Sequence, residues 1–140
     1  MASTVRFLIA CANVENENGL LVLQQVLDNV VLPASEMPCD IQLAGVVGLK
    51  VEETAWNKSL GLIAWMVSAE DGKKTELAYV DDAVIVPEVE GYTSVEFSVQ
   101  LPITEPGEYG FELVDCDGVF ANTEDPVATF VFGVSAAEEE

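Results

Sequence analysis

Histidine is absent from all 140 residues. That removes the commonest general base, the commonest metal ligand and the usual partner of a nucleophile. Cations are almost as scarce, with five Lys and Arg against 25 Asp and Glu and a formal charge of −20. From residue 75 to residue 140 there is no cation at all, yet sixteen carboxylates, whereas residues 1–74 hold nine carboxylates and all five cations. Affinity for DNA, RNA and anionic membranes comes mainly from Lys and Arg, so direct nucleic-acid or membrane binding is not expected. No apolar run approaches the roughly 20 residues of a membrane span. Self-repulsion among the acids predicts a fold that is firmer in added salt.

Cysteine is also sparse. Cys11, Cys39 and Cys116 cannot all pair within one chain, and their spacings match neither a zinc nor a thioredoxin motif, so reduced thiols in a cytoplasmic protein are expected. Leu8-Ile9-Ala10-Cys11 looks like the box before a lipidated cysteine, but the apolar run from Phe7 is far short of the roughly 7–15 residues of a signal core, and Arg6 nearly abuts it. Lipidation is therefore not assigned.

With histidine gone, catalysis would rest on carboxylates or cysteine. Asp81-Asp82, or Glu108 with Glu112, could in principle serve a glycosidase, but close pairs are expected by chance in so acidic a chain. No cysteine has a basic neighbour in sequence to activate it. No catalytic residue is assigned, and the chain reads as a non-enzyme. Asp115-Cys116-Asp117-Gly118 opens like a calcium loop but lacks the next ligand and the closing glutamate, and reads better as a hairpin turn. A cation site assembled from Asp117, Glu124 and Asp125 remains an alternative; no cofactor or metal is expected.

The acidic half is not a solvating tail, because its acids are threaded through Tyr79, Tyr92, Phe97, Tyr109, Phe111, Phe120, Phe130 and Phe132, whose rings are expected to face inward. Alternation with period 2 is cleanest at 94–101, where Val95, Phe97, Val99 and Leu101 oppose Ser94, Glu96, Ser98 and Gln100, and it recurs with Tyr109, Phe111 and Leu113 against Glu108, Gly110 and Glu112. The spacing predicts that these two strands form a hairpin around 103–107. Further strands are expected at 4–14, 20–31, 41–51, 60–69, 74–81, 83–87 and 126–134, with Trp65 and Met66 in the core and a helical turn only at 53–59. Asn18-Gly19, Asp71-Gly72 and Asp117-Gly118 supply turns that accept positive φ, which argues for antiparallel pairing. The expected fold is all-β: an antiparallel two-sheet sandwich of about eight strands, immunoglobulin-like and Greek-key, with a closed barrel as the alternative. One domain is expected over 1–135, followed by an acidic tail at 136–140.

Across residues 5–134 the chain resembles small bacterial β-sandwich proteins grouped as a family of unknown function. The resemblance rests on the early turn of the opening strand into a second (Phe7 to Leu23), the Asp71-Gly72 hairpin, and Gly107-Glu108-Tyr109-Gly110-Phe111-Glu112-Leu113. It implies a fold and no catalytic residue.

Function is then sought in surface charge. Glu96, Glu108 and Glu112 point outward on strands expected to be neighbours, forming an acidic sheet face suited to a basic or cationic protein partner. Trp56 lies in a polar stretch, where it serves as a binding anchor or as a lid on one end of the sandwich. One alternative is an acidic inhibitor that mimics nucleic acid. Duplex DNA carries one charge per about 1.7 Å of axis, while same-face residues of a strand are about 6.8 Å apart, so mimicry requires adjacent acidic strands in register. Another is a cation- or carbohydrate-binding module. Exposed sheet edges also allow a homodimer.

Overall fold

The computed structural model describes residues 4–17, 20–51, 58–68, 70–85, 91–115 and 128–137. Nine strands run through them: β1 Thr4–Glu17, β2 Leu20–Val26, β3 Asn29–Pro33, β4 Cys39–Lys50, β5 Ser59–Ser68, β6 Lys74–Val84, β7 Tyr92–Ile103, β8 Gly107–Asp115 and β9 Ala128–Ala137, with a short 3-10 turn at Ala34–Glu36. They form a four-stranded sheet in the order β2-β1-β4-β7 and a five-stranded sheet in the order β3-β9-β8-β5-β6. From β4 onward the chain crosses between the sheets three times, from β4 to β5, from β6 to β7 and from β7 to β8. Among the described residues, no helix is long and apolar enough to cross a membrane.

The alternating patterns build the core. Val95, Phe97, Val99 and Leu101 from β7 and Tyr109, Phe111 and Leu113 from β8 are all buried, together with Leu43, Val47 and Leu49 from β4 and Leu60, Leu62 and Met66 from β5. Phe132 of β9 stacks on Tyr109 at 6.0 Å between ring centroids and meets Phe111 at 6.2 Å with the rings tilted. The Tyr109 hydroxyl donates to the Glu105 carbonyl at 2.7 Å, so this core tyrosine has its polar end satisfied at the sandwich rim.

Four expectations about strands fail, each for a physical reason. First, β7 and β8 do not form a hairpin: β7 pairs with β4, while β8 pairs with β5 and β9, and residues 104–106 carry the chain from one sheet to the other. Alternation requires only that both apolar faces meet one core, and they meet it from opposite sides. Second, the run 20–31 is two strands. Gln25 adopts φ 58°, and past it the Leu27 N–H donates to the Ala10 carbonyl while the Gly133 N–H donates to the Asp28 carbonyl. Those bonds hand the chain from the flank of β1 to β9, where β3 pairs in parallel, so the sandwich is not wholly antiparallel. Third, Ala83 and Val84 continue β6 rather than starting a new strand. Fourth, Tyr79 and Tyr92 are exposed rather than in the core.

The hairpin at Asp71-Gly72 is as expected: β5 and β6 pair antiparallel, Gly72 has φ 70°, and the Lys73 N–H donates to the Asp71 carboxylate at 2.9 Å. β1 and β2 pair antiparallel up to Glu17 opposite Leu20. The turns Asn18-Gly19 and Asp117-Gly118, the helical turn expected at 53–59 except its last two residues, and 86–87 lie outside the described residues.

From Leu43 to Leu49 β4 is buried on both faces. Beyond the main core, Cys11, Ala44 and Val46 form a second apolar cluster on the outer side of the four-stranded sheet, covered by Phe7, Val14, Leu21 and Leu23. Gly48 makes this possible, since a Cβ there would sit 2.1 Å from the Phe7 ring.

Candidate partner-binding face

The pairing of β9, β8, β5 and β6 lays the outer surface of the five-stranded sheet out in rows. One row holds Gly133, Glu108, Val67 and Lys74; the next Val131, Gly110, Trp65 and Glu76; the third Thr129, Glu112, Ile63 and Tyr79. These residues face outward because Tyr109, Phe111 and Leu113 on β8, and Ala64 and Met66 on β5, face the core.

Trp65 therefore lies outside the inter-sheet core, contrary to expectation, yet it is only 5% exposed. Its indole lies against Gly110, where a Cβ would come within 2.4 Å of Cζ2 and 2.8 Å of the Phe130 carbonyl oxygen. Lys74 covers the ring, with Nζ 4.7 Å from a ring centroid, and reaches on to form an ion pair with Glu112. Aromatic face below and carboxylate beside is a favourable seat for a cation. Trp65 Nε1 is buried and has no hydrogen-bond acceptor among the described residues.

Across its three rows this face carries Glu76, Glu108 and Glu112 against Lys74 alone. Exposed Tyr79 and Val131 stand among them.

The opposite outer face is different. Glu96 lies there, paired across the sheet with Val46, so it does not share a face with Glu108 and Glu112 as expected. Asp40 and Glu96 are offset by Lys50, opposite Tyr92, and by Arg6, whose guanidinium stands over Phe7 and over Tyr92 at 5.2 Å. Gln100 donates to the Asp40 carboxylate, and Gln42 donates to the Ser98 hydroxyl. Burial first, and then the negative charge of Glu96, raises the Cys11 thiol above its ordinary pKa, while a hydrogen bond with the Asn13 backbone pulls the other way. Cys11 is fully buried and Cys39 half-buried, both unbridged. Iodoacetamide should therefore label Cys11 roughly tenfold or more slowly than Cys39 in the folded protein. Site-resolved mass spectrometry checks this, and equal rates would contradict it.

Of the residues singled out from sequence, Glu108 and Glu112 share a face, Glu96 lies on the other, and Trp56 is outside the described residues. Glu108 and Glu112 are four residues apart on one extended strand, hence about 13 Å between Cα atoms. A glycosidase pair stands at most about 9.5 Å apart, and Glu112 is already held by Lys74. The calcium-loop residues and Glu124 and Asp125 lie outside the described residues, among which no group of three or more Cys, Asp and Glu is placed to hold a metal ion. Sequence reasoning missed Trp65, Lys74, Glu76 and Tyr79. The hint for Trp65 was its phase with Ile63 and Val67, hidden because the whole run is apolar.

No family model matches the chain, and no curated protein does. Among solved structures it is similar to an alkylpurine DNA glycosylase from Pseudomonas fluorescens, AlkC, at 9% identity and TM-score 0.49, covering 96% of this chain and 30% of that one. It is also similar to a β-glucosidase from Listeria innocua, at 16% identity and TM-score 0.46, covering 96% of this chain and 16% of that one. A third is the CARDB domain of the PF1109 protein from Pyrococcus furiosus, solved with two metal ions, at 13% identity and TM-score 0.39, with coverage of 96% and 92%. The chain spans less than a third of the first two proteins.

Proposed function

We propose that the chain is a non-catalytic interaction module that binds a basic protein partner across the outer face of the five-stranded sheet. The observation that carries this reading is the uneven charge: three carboxylates, Glu76, Glu108 and Glu112, against Lys74 on that face, while Asp40 and Glu96 are offset by Lys50 and Arg6 on the other. Lys74 on Trp65 and Glu112 supports it further, as an internal example of a cation seated by this surface. A partner's Lys or Arg would find the same chemistry in Tyr79 with Glu76, and a second carboxylate in Glu108. Such complementarity accelerates encounter and selects basic partners more than it adds raw affinity.

The test uses a lysine-rich peptide and a glutamate-rich peptide of equal length. Calorimetry should detect the basic peptide alone, with binding that weakens several-fold between low and physiological ionic strength. Equal binding of both peptides, or binding indifferent to salt, would sink the reading.

A further inference from the structure

We infer that β2 is a self-association edge, at which two copies pair antiparallel and join their four-stranded sheets into one. The two sheets end in four edge strands, β2, β7, β3 and β6. Unpaired edges invite pairing with another chain, and proteins blunt them with charge, proline, brevity or a bulge. Three of these edges are blunted. β6 carries Lys74, Glu76 and Asp81, β7 carries Glu96 and Pro102, and β3 is five residues long and ends in Pro33.

β2 has neither charge nor proline in Leu20–Val26. Leu20, Val22 and Val26 are 69%, 39% and 50% exposed, while Leu21 and Leu23 pack on the second apolar cluster. Its one irregularity, the left-handed Gln25, sits next to the end and leaves Leu20 to Gln24 extended. A strand of Leu, Val and Gln without charge or proline has the composition that pairs readily.

The strand's chemistry selects a second copy as its occupant. β2 itself carries no charge, and the carboxylates nearest it, Glu15 opposite Val22 and Glu17 opposite Leu20, stand one strand further in on β1, so repulsion between copies that each carry −20 is eased along this edge. Antiparallel pairing about Val22, the centre of the extended stretch, also makes the edge complementary to itself. Leu20 of one copy then stands opposite Gln24 of the other and Leu21 opposite Leu23, each contact made twice about the two-fold axis, on which the two Val22 meet. Two strands this short bury less than a standard interface, so the dimer is weak and depends on concentration. It is independent of the acidic face, and salt acts on the two oppositely. Screening relieves repulsion between copies and strengthens the dimer, whereas it weakens capture of a basic peptide.

Sedimentation equilibrium of the full chain tests the inference. The mass should double with rising protein concentration, at lower concentration when salt is added, and Val22→Lys should remain monomeric while capture of the lysine-rich peptide is unchanged. Val131→Lys, on the other sheet, should still dimerise. If Val22→Lys fails to fold by circular dichroism, Leu20→Lys takes its place, because Leu20 is the more exposed. A wild-type chain that stays monomeric at every concentration and salt, or a dimer that survives both lysine substitutions, would overturn the inference. Loss of peptide capture with the dimer intact would strike the acidic-face reading alone.

Discussion

Phe111→Ala is expected to cost about 3–5 kcal/mol of unfolding free energy. Phe111 is fully buried on β8, which has a neighbour on each side, and its ring meets that of Phe132 on the adjacent strand β9 at 6.2 Å. Truncation removes the transfer free energy of the ring and leaves a cavity that paired strands on both sides cannot close. Since domains of this kind have only about 5–15 kcal/mol in total, the variant should sit close to its unfolding threshold. Urea denaturation should show the midpoint falling with little change in slope. Val131→Ala, on the neighbouring strand but with its side chain 46% exposed, should stay within about 0.5 kcal/mol of wild type. Similar losses for the two variants would mean that the core is not where the burial pattern puts it.

Gly110→Ala is expected to cost about 2–3 kcal/mol by overpacking, for the addition of one methyl group. That methyl would come 2.4 Å from Trp65 Cζ2 and 2.8 Å from the Phe130 carbonyl oxygen. The carbonyl belongs to the adjacent paired strand and cannot yield, while the indole is pinned from above by Lys74 and its ion pair with Glu112. Relief must come from the tryptophan leaving its seat, which also disturbs the cation above it. In the background of Trp65→Ala the added cost of Gly110→Ala should shrink but not vanish, because the clash with Phe130 persists. A double-mutant cycle measures that coupling, and strict additivity of the two changes would contradict the packing described here.

What was readable beforehand was the local period. Val95 through Leu101 and Tyr109 through Leu113 alternate so regularly that their strands, and the side of each that is buried, follow from the order of residues alone. Which sheet a strand joins is not a local property. The run from β7 into β8 is compatible with either a hairpin or a crossing, since both bury the same side chains. The partition is decided by what β4 and β5 offer as neighbours, far away in sequence. The misplacement of Glu96 beside Glu108 and Glu112 followed directly from that ambiguity.

Trp65 failed for a different reason. In a run apolar on both sides, phase carries no information, and only Gly110 on the neighbouring strand makes room for an outward indole. The Lys74 to Glu112 pair spans 38 residues and has no local signature. The split of 20–31 into β2 and β3 turns on one left-handed glutamine, Gln25, a residue type that gives no warning of positive φ. Composition did carry the acid excess, but only the strand order resolves it into one face that is acidic and one that is balanced.

The most direct test of the account moves equal charge on the two faces. Glu76→Lys with Glu108→Lys changes the net charge as much as Asp40→Lys with Glu96→Lys, so any difference between the pairs reports position. With the lysine-rich peptide as probe, the first pair should lose on the order of tenfold or more in affinity through like-charge opposition, and the second should bind as wild type does. Equal losses for both pairs would show that the peptide responds to net charge alone, and would contradict an acidic face on the five-stranded sheet as the binding surface.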